Sequence, residues 1–171
     1  MGGSIAAAYA AHNPGRLNKL ILIASAGAGH NLGVSAKVAK IPFIGWVLFS
    51  IFFGLQHARS TKIDTGFKSS VPKVVERQLN ELRYRGFVPS VLASIKGILS
   101  NDNYDDHKAL RDANFEILAF WGDCDTVVPI SNKEVLSSWN SRINNIVIRD
   151  GSHSLPFSHT KEITDAINLI G

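Results

Sequence analysis

Phe115-Glu116-Ile117-Leu118-Ala119-Phe120-Trp121-Gly122 is the stretch on which the fold turns. Phe115 to Trp121 reads as an apolar strand that ends at Gly122. Downstream, Ser131 and Glu134 have capping-box spacing and open a helix running toward Trp139. Ile143 to Ile148 forms the next strand, which Gly151 ends, and Ile163, Ala166, Ile167 and Ile170 give an amphipathic closing helix. Upstream, Leu20-Ile21-Leu22-Ile23-Ala24 is a continuous apolar run entered through a Pro-Gly turn, and such a run flanked by turn signals fits a strand buried on both faces, as in a parallel sheet. Before it, Gly3 to Asn13 reads as a small-residue helix that Pro14 stops.

Between these elements lies a stretch of another kind. No strand signal occurs from Gly27 to Asn114. Ile41 to Leu55 is apolar and aromatic over fifteen residues, short of the about 18–20 that span a bilayer. Pro72 is expected to open a helix carrying Val71, Val75, Leu79 and Leu82 on one stripe, and Pro89 another with Val91, Leu92, Ile95, Ile98 and Leu99. The order is helix, strand, helical insert, strand, helix, strand, helix. Short connections between alternating elements make this an α/β chain with three parallel strands and flanking helices. The expected divisions are a core over 1–26, a helical insert over 27–106 and a returning core over 107–171.

At 171 residues, 45% hydrophobic and 19% charged, the chain has a globular composition and room for one real core. The single cysteine, Cys124, excludes an intrachain disulfide, and no Cys/His cluster has metal-ligand spacing. The start, Met1-Gly2-Gly3-Ser4, lacks the basic segment and cleavage site of a signal peptide. The net charge of +4 is divided: Arg59 to Lys96 holds eight basic residues against three acidic, while Asp102 onward holds eleven acidic against six basic.

In open α/β sheets ligands bind beyond the carboxyl ends of the strands. Here those are the turns after Ala24, after Trp121 and after Ile148. The second holds Gly122-Asp123-Cys124-Asp125-Thr126-Val127-Val128-Pro129, and the third Asp150-Gly151-Ser152-His153. An acid at one strand end and a histidine at the next is the arrangement by which a carboxylate orients an imidazole.

The sequence resembles the α/β-hydrolases. Met1-Gly2-Gly3-Ser4-Ile5-Ala6-Ala7-Ala8-Tyr9 is similar to the segment that follows their nucleophilic serine, Gly122 to Pro129 resembles their acid loop, and Gly151-Ser152-His153 their histidine loop. The order serine, acid, histidine is the family order. The resemblance implies the C-terminal part of such a sheet with an α-helical cap between Gly27 and about Asp106. It makes Asp125 the acid, three residues after Gly122, with Asp123 as its rival and otherwise a turn-capping carboxylate. Relatives that place the acid after the preceding strand are no guide, because no Asp or Glu lies between Leu20 and Asp64. His153 takes the place of the base. Met1 would supply a backbone oxyanion donor, and the serine itself is expected just upstream of Met1, in a missing N-terminal half of the same protein.

Other nucleophiles fit less well. Ser4 falls one turn into the helix and reads as a packing or locally bonded hydroxyl, and Cys124 as a small buried thiol. The resemblance implies a Ser-Asp-His hydrolase acting on an ester of a hydrophobic small molecule, without metal, organic cofactor or nucleic acid. The chain by itself is then expected to be inactive. Trp46, Phe49 and Phe53 are the candidates for substrate contact, and the apolar insert reads either as a cap helix buried against the hydrolase core or as a lid that accepts a hydrophobic chain or lies, beside its basic block, at a membrane surface. An upstream aspartate nucleophile of the epoxide- or haloalkane-cleaving type, and a noncatalytic binding or regulatory module, are the alternatives.

Overall fold

A computed structural model describes residues 1–28, 41, 44–63 and 69–170. The chain divides into two compact units, Met1–His30 with Asn101–Gly171, and Asn31–Ser100.

The first unit is an α/β layer structure. Helix α1 (Gly2–His12) leads through a 3-10 turn (Pro14–Arg16) into β1 (Lys19–Ile23). Helix α5 (Tyr104–Ala109) precedes β2 (Glu116–Gly122), and α6 (Ser131–Trp139) links β2 to β3 (Asn144–Ile148). Helices α7 (Leu155–Ser158) and α8 (Thr160–Ile170) close it. The sheet order is β1-β2-β3, all parallel, with Leu22 opposite Ala119 and Gly122 opposite Ile148. Sequence and structure agree on three parallel strands.

The alternation of side chains across a strand divides the core into two layers. Leu20, Leu22, Ile117, Ala119 and Trp121 pack on one face with Ala10 of α1, Leu110 and Leu136 of α6. Leu118, Phe120 and Ile148 pack on the other with Leu155 and with Ile163 of α8. β2 is therefore buried on both faces, and its continuous apolar run follows from that position. Helix α1 buries Ser4, Ala7 and Ala10, and its small residues let it lie close to the sheet. A Cβ at Gly3 would stand 2.0 Å from Ser25 Oγ, so glycine is what lets the first turn of α1 meet the exit from β1.

The second unit holds α2 (Ile44–Ile63), α3 (Val74–Glu81) and α4 (Phe87–Lys96). Phe49 and Leu92 are its buried core, with Phe53, Val88, Val91 and Ile95 packed against them. Phe49 stacks on Phe53 at 5.0 Å and Phe53 on His57 at 5.5 Å, one aromatic column along one side of α2. Among the described residues no helix is long and apolar enough to cross a membrane.

Three local expectations change. Pro72 does not open a helix: Lys73 adopts a left-handed conformation (φ 56°), and α3 begins after it at Val74, leaving Val71 outside. Ser131 is the first residue of α6 rather than its cap. Ile130 before it is already helical, and the donors of the first turn are bonded by Pro129 and Ile130 carbonyls, so no hydroxyl cap forms. Cys124 is exposed, not buried, because the turn after β2 points it toward water while Asp125 turns inward.

Candidate active site

The strand ends set the site. Gly122 closes β2 where the chain after β3 crosses it: a Cβ there would lie 2.2 Å from the Gly151 carbonyl oxygen. The crossing is held by Cys124 N–H donating to Gly151 O at 2.9 Å and Asp123 N–H donating to Ile148 O at 3.3 Å. Asp150 enters the crossing in a left-handed conformation (φ 55°). Two loops that are distant in sequence are thereby brought into backbone contact.

Inside this crossing Asp125 is buried, with a side chain 1% exposed. One carboxylate oxygen, Oδ1, accepts the backbone N–H groups of Val127 and Val128, each at 2.8 Å. The other, Oδ2, lies 2.9 Å from His153 Nδ1. Both oxygens are engaged, so the carboxylate cannot rotate without losing bonds, and burying it without such donors would be costly. An acceptor at Nδ1 puts the proton of the neutral imidazole on that nitrogen and leaves Nε2 as the acceptor. The His153 side chain is 43% exposed, reachable from solvent while its partner is dry. Among the sequence candidates, these are the two that the structure brings together.

Asp123 is not brought to the histidine. It is exposed and hydrogen-bonds the Cys124 thiol; that bond, together with the negative charge of Asp123, raises the thiol above its ordinary value. Ser4 is buried rather than displayed, its hydroxyl donating to Asn103 Oδ1. Met1 is half exposed, its carbonyl accepts the N–H groups of Ser4 and Ile5, and burial lowers its amino group. Trp46 is exposed, whereas Phe49 is 1% exposed and packs with Leu92 in the core of its own unit, with Phe53 against it. His12 Nδ1 bonds the carbonyl of Ala8 and His159 Nδ1 meets Ser158 Oγ, both at 2.8 Å. His30 lies outside the described residues.

Asn103 was not among the sequence candidates. Its Nδ2 donates to Asp106 Oδ2 at 2.7 Å and to Ser4 O at 3.3 Å, while its backbone N–H donates to Gly27 O at 2.9 Å. It ties the first turn of α1, the exit from β1 and the start of α5 together. The signal available was an asparagine followed three residues later by an acid, at a helix start.

The family model for the alpha/beta hydrolase fold matches residues 1–160. The chain belongs to the α/β-hydrolase fold family. Among curated proteins none matches the sequence. Similar solved structures include the enol-lactonase from Burkholderia xenovorans LB400, with TM-score 0.67 and 16% identity over 98% of this chain and 61% of that one. A thermophilic esterase from Thermogutta terrifontis has TM-score 0.64 and 22% identity over 98% and 60%. A meta-cleavage product hydrolase from Pseudomonas fluorescens IP01 has 0.62 and 19% over 98% and 59%. The chain thus spans about 60% of the length of these α/β-hydrolase structures.

Proposed function

We propose that this chain carries the acid and the base of a Ser-Asp-His hydrolase that cleaves an ester of a hydrophobic small molecule. The observation that carries the reading is the buried Asp125 carboxylate, fixed by two backbone N–H groups and aimed at His153 Nδ1. In this reading Asp125 holds the ring and stabilises the imidazolium. Nε2 of His153 takes the proton of an attacking hydroxyl and returns it to the leaving alcohol. The hydroxyl belongs to a serine immediately before Met1. The backbone nitrogen of Met1, at the N-terminus of α1, then donates to the oxyanion, where the helix dipole also favours negative charge. In this reading the helical unit that the sequence inserts between β1 and β2 is the cap segment of the family.

The test is a polypeptide extended by the codons that precede Met1 in frame. It should contain a G-x-S segment, hydrolyse short p-nitrophenyl esters and lose that activity on His153→Ala. Residues 1–171 by themselves should give no turnover. Turnover by residues 1–171 that is abolished by His153→Ala would place the nucleophile inside the chain and overturn the assignment.

A further inference from the structure

Helix α2 has two apolar sides, and its unit uses one. Phe49 and Phe53 point into the core with Leu92. Val47, Ile51 and Leu55 recur every four residues on a different side and are 45%, 55% and 57% exposed, with Phe52 beside them at 59%. A helix turns 100° per residue, which sets this stripe roughly opposite the Phe49–Phe53 side. Scattered surface hydrophobes need no explanation, but a contiguous stripe of four large ones marks a contact surface.

Charge indicates what covers it. Helix α2 contains no Asp or Glu, and Arg59, exposed and four residues after Leu55, continues the same stripe. Over 31–100 there are ten Lys and Arg against three Asp and Glu, whereas the rest of the chain has eight against eleven. Positive charge is thus concentrated on the unit that bears the apolar stripe. A helix with exposed large apolar side chains, basic flanks and insufficient length of apolar sequence to span fits the interface of an anionic bilayer.

We propose that the Val47–Ile51–Phe52–Leu55 face of α2, with Arg59 at its end, docks the protein on an anionic lipid surface. The four side chains enter the acyl boundary and Arg59 meets phosphate headgroups. The experiment is co-sedimentation of the 171-residue chain with phosphatidylcholine vesicles, with and without phosphatidylglycerol. Sedimentation velocity without lipid and helix content by circular dichroism accompany it. The chain should bind the anionic vesicles, bind the neutral ones far less, and be released by high salt. Ile51→Glu with Phe52→Glu should weaken binding about tenfold or more, given the apolar surface withdrawn from the interface. Arg59→Gln should weaken it about fivefold, the worth of one basic side chain at such a surface. Both substitutions are at exposed positions, and Phe52→Ser is the milder replacement should the double variant lose helix content; it should also weaken binding. No binding to anionic vesicles, or binding indifferent to these substitutions, overturns the proposal. So does a concentration-dependent dimer that the same substitutions dissolve while vesicles are ignored, which would make the occupant a second copy.

Discussion

Replacing Asp125 by alanine and by asparagine separates what the carboxylate does for the fold from what it does for His153. In the native protein Oδ1 accepts two backbone N–H groups and Oδ2 faces His153 Nδ1. Alanine orphans both donors. Val127 is 64% exposed, so its N–H can turn to water, whereas Val128 is 5% exposed and its N–H stays dry. One buried unsatisfied donor costs about 1–3 kcal/mol, and lost charge-assisted bonds add to it. The histidine contact adds little, since His153 is partly solvated and such pairs are screened. The sum is about 3 kcal/mol for Asp125→Ala. Asparagine keeps both backbone bonds through its oxygen, as neutral ones, and should cost about 1–2 kcal/mol. At roughly 2–4 °C per kcal/mol for a chain of this size, alanine lowers the melting temperature by roughly 6–12 °C and asparagine by about half as much. Urea unfolding of the two variants measures the difference. Nitrogen NMR of the imidazole gives the second readout. In Asp125→Asn the new amide nitrogen faces Nδ1 as a donor, so the ring proton should move from Nδ1 to Nε2. Alanine within about 0.5 kcal/mol of native, or an asparagine variant with the tautomer unchanged, would contradict this role of the Asp125 carboxylate.

Two further perturbations test the surroundings. Gly122→Ala sets a methyl against the Gly151 carbonyl, and should destabilise by about 3 kcal/mol or more and break the Asp125–His153 contact, while Gly15→Ala, with open space around it, should be nearly neutral; equal effects in urea unfolding would contradict the crossing. His107 is buried against Trp139, its Nδ1 has no partner among the described residues, and burial lowers it from 6.5 to about 4 against an opposing effect of Asp106. Its folded value lies below its unfolded one, so the unfolded chain binds the proton first. Stability is full above about pH 6.5 and falls by about 3 kcal/mol as pH drops toward about 4. His107→Phe should flatten that part of the pH–stability curve, and an unchanged slope would sink the idea.

The strands were legible because β2 is central: Ile117 to Trp121 are buried on both faces, and continuous apolarity is the mark of that position. The approach of Asp125 to His153 was legible because glycines mark the two turns that carry them. What the sequence hid depends on contacts between distant segments. Cys124 is small and apolar in type, yet its turn directs it to water. Phe49 looked like a lining residue and is the centre of its unit, since an all-apolar helix carries no pattern to tell its inner side from its outer. Asn103 acts through Ser4, 99 residues away, and no local spacing announces such a bond. The capping-box spacing at Ser131 went unused because a helical Ile130 had already extended the turn.

Covalent labelling of the upstream-extended polypeptide with a fluorophosphonate, read by peptide mass spectrometry, locates the nucleophile that His153 would activate. One labelled serine is expected, immediately before Met1, with labelling lost on His153→Ala and strongly slowed on Asp125→Asn. Label on Ser4, or labelling indifferent to His153, would contradict the Ser-Asp-His assignment.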